Sequence, residues 1–257
     1  EIKSKLLSKG IIFNTDGDAE VLLNGFAYYG IEIFNKIRGF YSVCIYDTYE
    51  ETFTLARDYF GKKPLYFINT GKEFLFGSEI KTLLRSLSKR PDINFESLSH
   101  YLWKGYYVNG DSAFSGISSL LAGQILKINL KNFEIIENIT EPDKKIISNF
   151  KSQKRDLELV EDALLESTSL RLVSDVPISF LLSGGIDSSL ISKLASKKLH
   201  EPLQTYYLGY EDKEDIFEEL AEYVAQNINS SHTTYKIKTS SLDSTLDKIV
   251  SVFDEPF

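Results

Sequence analysis

The sequence predicts two domains: an α+β domain built on antiparallel strands, followed by an α/β domain with a doubly wound parallel sheet. Three observations carry that prediction. Between Tyr41 and Gly77, four short runs rich in β-branched and aromatic residues alternate with turn residues, as strands of an antiparallel meander do. Between Asn132 and Arg155 the composition turns polar, which marks a boundary. Beyond it, apolar runs of strand length alternate with runs of helical period, the signature of strand–helix–strand units in a parallel sheet. This places the domains at 1–137 and 155–257, with a linker at 138–154.

In the first domain, Glu20 to Gly30 has apolar residues at helical spacing and a glycine stop, and Ile31 to Ile37 continues in that style. Either Asp16 or Asp18 is placed to cap this helix, with Glu20 favouring its dipole. Strands follow at Tyr41–Asp47, Thr52–Asp58, Pro64–Ile68 and Glu73–Gly77. Residues 57–66 between and into these strands read as a polar hairpin, with Gly61 at a left-handed turn and Pro64 opening an edge strand. Glu79–Leu87 and Phe95–Trp103 are helical in pattern, and Gln124–Leu130 returns to strand. Tyr28, Phe40, Tyr46, Phe53 and Phe76 read as core residues and cross-strand pairs.

In the second domain, Asp156–Leu172 reads as a packing helix, with Leu157, Val160, Leu164, Leu165 and Leu170 near helical spacing. Val176–Leu182 reads as a buried parallel strand, and Leu190–Leu199 as a helix. Strands at Leu203–Tyr210 and Thr233–Ile237 flank a helix at Asp215–Ile228.

Ser183-Gly184-Gly185-Ile186-Asp187-Ser188-Ser189 links the first strand of this domain to its helix. Two glycines let the backbone bring its N–H groups close to a ligand, and the free N–H groups and dipole of a helix start favour an anion. Ser hydroxyls add donors, and Asp187 is suited to a Mg²⁺ bridging phosphate oxygens. A Gly/Ser-rich turn can also be only a turn with capping residues. The apolar strand before it, the acid within it and the serines opening the helix favour phosphate. No Gly-Lys-Ser/Thr follows, so it is not a Walker A loop.

Ser174-Asp175-Val176-Pro177-Ile178 followed by Leu181–Ser189 resembles the pyrophosphatase loop of the glutamine-dependent asparagine synthetase family. Arg57–Tyr66 and Gly77–Lys81 are similar to that family's Arg-Asp-x-x-Gly-x-Lys-Pro-Leu-Tyr and Ser-Glu-Ile-Lys segments, and Asp254-Glu255-Pro256 to the start of a further one. The resemblance implies layered antiparallel sheets of glutaminase type and then an ATP-pyrophosphatase domain. It implies ATP with Mg²⁺, cleaved between its α- and β-phosphates to adenylylate a carboxylate, which ammonia from glutamine turns into an amide.

Carried over residue by residue, Ser183, Gly184, Gly185, Ser188 and Ser189 hold the pyrophosphate portion and Asp187 helps bind Mg²⁺. Leu182 and Leu208 match backbone contacts to the nucleotide, and Asp18 matches the acid that binds the glutamine α-amino group. The ions of residues 57–66 hold the two domains together or shape the fold rather than perform chemistry. Aspartate is the expected acceptor, although relatives of this architecture act on other carboxylates or on sugars, and the family suggests a homodimer. The family's nucleophile is an N-terminal cysteine. Residue 1 here is Glu1, and the single cysteine, Cys44, lies in a strand as a buried, inert thiol. A non-catalytic nucleotide-binding remnant is the other reading.

Composition sets limits. At 257 residues, 42% hydrophobic and 26% charged, the chain is long enough for two modest domains. A net charge of −8 without a basic stripe argues against nucleic acid. No apolar run approaches the ~18 residues of a membrane span, and one cysteine forms no intrachain disulfide, which makes the cytoplasm the default. His100, His200 and His232 lie far apart with no cysteines at metal spacing, and His232 reads as a surface or capping residue. The chain contains no methionine, and this predicts a sequence incomplete at its ends or internally.

Overall fold

The computed structural model describes residues 1–140, 157–199, 201–211, 215–238 and 242–255. It divides into one unit of Glu1–Phe150 with Ile249–Phe257 and a second of Lys151–Lys248.

Alternation of side chains builds the first unit. One sheet has the order β1-β2-β6-β7, from Ser42–Asp47, Thr52–Arg57, Ile125–Asn129 and Ile135–Ile139, all antiparallel. Val43 and Ile45, Ala56 and Ile125 point to one face, where they pack against Ile33 and Phe34 of a 3-10 turn (Gly30–Asn35) and against Phe26. Phe26 belongs to helix α2 (Asp18–Tyr29), which follows the short α1 (Ile2–Leu7). Cys44, Leu55, Leu126 and Ile128 point to the other face and meet a second sheet. That sheet has the order β4-β3-β5, from Phe74–Gly77, Tyr66–Asn69 and Ile117–Ser119.

Phe67, Phe74 and Phe76 of the second sheet face the first, whereas Ile68 and Leu75 face Ile80 and Leu83 of α3 (Ile80–Ser86). The unit is therefore four layers deep, helix, sheet, sheet, helix, as period-two strands with both faces covered require. Each fully buried Leu or Ile between the sheets contributes about 1.5–3 kcal/mol. Helix α4 (Phe95–Lys104) follows α3, with Asn94 accepting the Ser97 N–H at 3.1 Å as its cap.

The single meander expected from the sequence does not form. β2 pairs with β1 and β6, β3 pairs with β4 and β5, and residues 58–65 cross from one sheet to the other. The crossing is held by its own ions. Asp58, fully buried, accepts N–H groups from Phe60 at 3.2 Å and from Lys62 and Lys63 at 3.0 Å. Arg57 donates to the carbonyls of Lys63 (2.8 Å), Gly61 (2.7 Å) and Leu120, and to the Ser119 hydroxyl (2.9 Å). Gly61 takes the left-handed turn, at φ 61°. Pro64 precedes β3, which is the central strand of its sheet rather than an edge. Of the five aromatics assigned to the core, Phe53 bridges Tyr46 and Phe76 at ring distances of 5.4 and 5.7 Å. Tyr28, Phe40 and Tyr46 are exposed, Tyr46 while standing opposite Phe53 across the β1–β2 pair.

Residues 249–255 belong to this unit. Asp254 accepts the Lys81 N–H at 2.9 Å, with Lys81 Nζ 3.6 Å from its other oxygen and 2.9 Å from the Val252 carbonyl. Glu255 accepts the Ala113 N–H at 2.6 Å and the Tyr66 hydroxyl at 3.4 Å. Burial raises the Glu255 carboxyl above its ordinary value, an effect only partly offset by those two hydrogen bonds. A raised folded-state value favours the protonated carboxyl, so its contribution is complete below the ordinary value of 4.5 and is lost as pH climbs through the raised one. The groups facing it are Tyr66, Tyr107 and Asp254. Protection of the Ala113 amide against hydrogen exchange, corrected for intrinsic rate, should therefore grow on acidification from pH 8 towards pH 5. Protection that falls over that range would contradict this.

The second unit is a three-stranded parallel sheet, order β10-β9-β8, from Ser231–Ile237, Gln204–Tyr210 and Ser179–Leu181. Helix α5 (Leu157–Arg171) precedes β8, α6 (Ile186–Ser196) connects β8 to β9, and α7 (Ile216–Asn227) connects β9 to β10. Both crossovers step in the same direction, so the right-handed rule puts α6 and α7 on one face. Leu182 and Tyr207 pack there against Ala221 and Ala225 of α7. Helix α8 (Leu242–Val252) begins in this unit and ends in the first.

Strand β8 is shorter and less buried than its apolar sequence suggests. Leu181 is 77% exposed because β8 is an edge strand and its second face has no helix layer among the described residues. Helix α5 packs on α6 through the side that carries Thr168, yet Leu157, Val160 and Leu170 are exposed. In the stretch expected as linker, Asn138 and Ile139 complete β7, while 141–154 and His200 lie outside the described residues. No helix among the described residues is long and apolar enough to cross a membrane.

Candidate functional site

The phosphate-binding candidate sits at the carboxyl end of β8. Leu182, fully buried, donates its N–H to the Tyr206 carbonyl at 2.8 Å and so continues the sheet by one residue. Ser183 follows, then Gly184 at φ 73°, a left-handed conformation. A Cβ on Gly184 would come within 2.3 Å of the Phe217 carbonyl oxygen in the first turn of α7, so only glycine fits. Gly185 caps α6, which starts at Ile186, four residues earlier than its apolar period suggests. Ile186, Asp187 and Ser188 therefore form the first turn, where the N–H groups have no intrahelical partner, and the Ser189 N–H makes the first helical bond, to the Gly185 carbonyl at 3.1 Å.

The serines close the loop. Ser188 Oγ is 2.9 Å from Ser183 Oγ and accepts the Ser183 N–H at 3.2 Å, while Ser189 Oγ donates to the Gly185 carbonyl at 2.7 Å. Asp187 is exposed and makes no hydrogen bond or ion pair among the described residues. Leu208 lies in β9 two residues beyond Tyr206, toward the same carboxyl end, with its side chain 60% exposed. The structure thus brings Leu182, Ser183, Gly184, Gly185, Asp187, Ser188, Ser189 and Leu208 to one end of one sheet. This is the end at which open α/β sheets bind ligands.

Asp18 stands in the first unit as the first residue of α2, exposed and without a hydrogen bond or ion pair among the described residues. Neither acid expected as the helix cap has that role. Gly17 is the cap residue, and Asp16 pairs with Lys3 at 2.8 Å. Glu20 reaches back to the N–H groups of Asn14 (2.8 Å) and Thr15 (2.7 Å) and to the Thr15 hydroxyl (2.6 Å). Those bonds, the Asn14 N–H first, hold its carboxyl below the ordinary range. By fixing residues 14 and 15, Glu20 leaves the Asp18 carboxylate free at the helix start.

Cys44 is half-buried, facing the inter-sheet core, and burial pushes its thiol up to about 11. A thiol so raised is almost wholly protonated at neutral pH and is a poor nucleophile. His232 is neither a surface nor a capping residue. Its Nδ1 lies 2.9 Å from the Thr205 hydroxyl on the neighbouring strand, and its Nε2 is buried without a partner among the described residues. A cavity of about 360 Å³ opens at the far end of α2, lined by residues such as Phe26, Ile31, Asp47 and Lys127; none of the expected site residues lines it.

Comparison with known proteins adds identity to this geometry. Residues 1–138 match the glutamine amidotransferase domain and residues 159–257 match the asparagine synthase family. The chain is 30% identical over its whole length to glutamine-hydrolysing asparagine synthetase 1 of Bacillus subtilis, covering 40% of that protein. Two putative glutamine-hydrolysing asparagine synthetases of Methanocaldococcus jannaschii are 29% and 32% identical over 95% of the chain, which spans 47% and 41% of them. The chain thus spans less than half the length of these relatives. With a glutamine amidotransferase domain matched over residues 1–138 and an asparagine synthase domain over 159–257, it belongs to the glutamine-dependent asparagine synthetase family.

Proposed function

We propose that the first unit binds glutamine and the second binds ATP, as parts of a ligase that converts a carboxylate, most simply that of aspartate, into an amide. The observation that carries this reading is the Ser183–Ser189 loop, with left-handed Gly184 pressed against the start of α7 and an unpartnered Asp187 beside free N–H groups. These groups suit a pyrophosphate anion. The backbone N–H groups and Ser hydroxyls take its oxygens, and Asp187 is placed for the Mg²⁺ that accompanies them. That ion supplies charge neutralisation on the pyrophosphate oxygens when bound.

A carboxylate is a poor electrophile, so the acceptor oxygen attacks the α-phosphorus and the bond to pyrophosphate breaks. Ammonia then adds to the acyl adenylate, and AMP leaves with its electron pair. The loop residues orient the leaving pyrophosphate and offset the charge that develops on it. Asp18 is the acceptor for the ammonium of glutamine, a charge-assisted pairing. Cys44 is not the nucleophile of the glutaminase step. We assign the glutaminase-type part to 1–137 and the ATP part to 155 onward. We also read β8–β10 as one half of a doubly wound sheet whose other half adds at the free edge of β8; the exposed Leu181 supports that reading.

Asp187→Ala should abolish ATP–pyrophosphate exchange while leaving glutamine hydrolysis intact. Exchange at the wild-type rate would remove the loop from the mechanism. Asp18→Ala should do the reverse. Losing an ammonium–carboxylate bond of about 2–3 kcal/mol lowers kcat/KM for glutamine by roughly 30- to 150-fold. Unchanged glutamine turnover in that variant would sink the assignment.

A further inference from the structure

The turn of α7 on which Gly184 rests is itself held by a buried tyrosine. Tyr207 stands in β9, 4% exposed, on the face that α7 covers, and packs against Ala221 and Ala225, one helical turn apart. Gly209, two residues along the strand, shares that face. A Cβ on Gly209 would come within 2.9 Å of the Tyr207 ring, so glycine there leaves the ring its place.

The Tyr207 hydroxyl donates to the carboxylate of Asp215, the residue that caps α7. The other oxygen of that carboxylate accepts the Phe217 N–H at 3.0 Å. The hydrogen bond to Asp215, with burial, pushes the Tyr207 hydroxyl up to about 12, so it stays a donor at neutral pH. Phe217 is the residue whose carbonyl oxygen Gly184 faces, and Leu182, the last residue before the loop, belongs to the same buried cluster as Tyr207.

Apolar contact with two alanines is non-directional, so it sets how near α7 lies to the sheet but not how far the helix stands along its own axis. A hydrogen bond from a packed ring to the cap residue is directional and sets that as well. A further polar tie on this turn, Lys236 to Glu218 at 2.9 Å, joins two partly exposed side chains and contributes little.

We propose that Tyr207 and Asp215 are positioning residues for the ATP step: the bond between them places the first turn of α7 under Gly184, and so aims the N–H groups that the pyrophosphate would take. This rests on the function proposed above. Both residues act through Phe217 and Gly184, and neither is assigned a contact with substrate.

The test uses the full-length protein carrying Tyr207→Phe, Asp215→Ser, or both. Phe keeps the ring and Ser keeps the helix cap, so each change removes the one bond and little else. In ATP–pyrophosphate exchange with aspartate as acceptor, the KM for pyrophosphate should rise about tenfold in either variant and no further in the double variant, while the KM for aspartate stays within about twofold of wild type. A purely structural part would lower kcat through the folded fraction and leave the KM for pyrophosphate where it was. That result, or losses that multiply in the double variant, would overturn the proposal. Urea unfolding gives a readout without nucleotide: the fall in midpoint caused by Gly184→Ala should be about half as large in the Tyr207→Phe background, because an unanchored turn yields to the added Cβ. An equal fall in both backgrounds refutes the positioning. A wild-type protein without ATP–pyrophosphate exchange would overturn the parent reading instead, and the urea comparison then decides by itself whether Tyr207 holds the turn under Gly184.

Discussion

Gly184→Ala is expected to eliminate ATP–pyrophosphate exchange and to destabilise the second unit by about 3 kcal/mol or more. The left-handed backbone at φ 73° disfavours any side chain by roughly 1–2 kcal/mol. The larger effect is steric. A Cβ would lie 2.3 Å from the Phe217 carbonyl oxygen and 3.2 Å from Leu220 Cβ, so α7 must shift or the loop must move off it. Either response displaces the N–H groups to which the proposed pyrophosphate would bind. Gly185→Ala is the control, because that backbone sits at φ −75° and a Cβ there meets only Ser183 Oγ, at 3.5 Å. Urea unfolding of the pair separates the effects: Gly185→Ala should unfold within about 1 kcal/mol of wild type. A stable, exchange-competent Gly184→Ala protein would show that the loop is not held against α7.

Asp58→Ala should be the most destabilising single change in the first unit, by about 3 kcal/mol. Its carboxylate is the acceptor for three N–H groups of the crossing between sheets, and it is fully buried. Truncation leaves all three unsatisfied, and it frees the loop that Arg57 also grips. The expected fall in melting temperature is roughly 6–12 °C. Burial by itself would raise this carboxyl, but hydrogen bonds from Lys62, Lys63 and Phe60 outweigh it and hold the group below its ordinary value of 3.8. A depressed folded-state value means stability that is present above 3.8 and lost as pH falls through the lower one. The gap between wild type and Asp58→Asn should therefore shrink between pH 5 and pH 2. A gap constant over that range would show that the charge is not what the loop uses.

Much of this architecture is legible because it is local. β1, β2, β3 and β4 announce themselves by alternation and turn residues, and α2 by its period and glycine stop. β5 and β7 do not. Ile117–Ser119 is three residues long and depends on β3 for its pairing, and Ile135–Ile139 is exposed along its whole length and so has no buried face to alternate. The division of the strands between two sheets is equally silent, since residues 58–65 look like a hairpin until Arg57 is seen to bind Ser119 and Leu120.

The Ser183–Ser189 loop is readable as a phosphate-binding candidate because its glycines, acid and serines fall within seven consecutive residues. What sequence could not supply is why Gly184 must be glycine, because its neighbour Phe217 is 33 residues away and contributes only a carbonyl. Asp18 was one of two acids near a helix start; its freedom follows from Glu20, whose side chain binds backwards to residues 14 and 15. The partner of Glu255 was beyond inference altogether, being the main-chain N–H of an alanine.

That last partnership has a consequence for biosynthesis. Ala113 and Glu255 are 142 residues apart, and ribosomes add about 5–20 residues per second, so the Ala113 amide emerges roughly 7–28 s before its acceptor. Throughout that interval the Tyr66 hydroxyl lacks its carboxylate. The first unit to be translated is thus not the first to be finished. Its final hydrogen bonds wait for a segment made after the entire second unit, and a nascent chain stalled within 151–248 would hold the first unit with the Ala113 N–H still without Glu255.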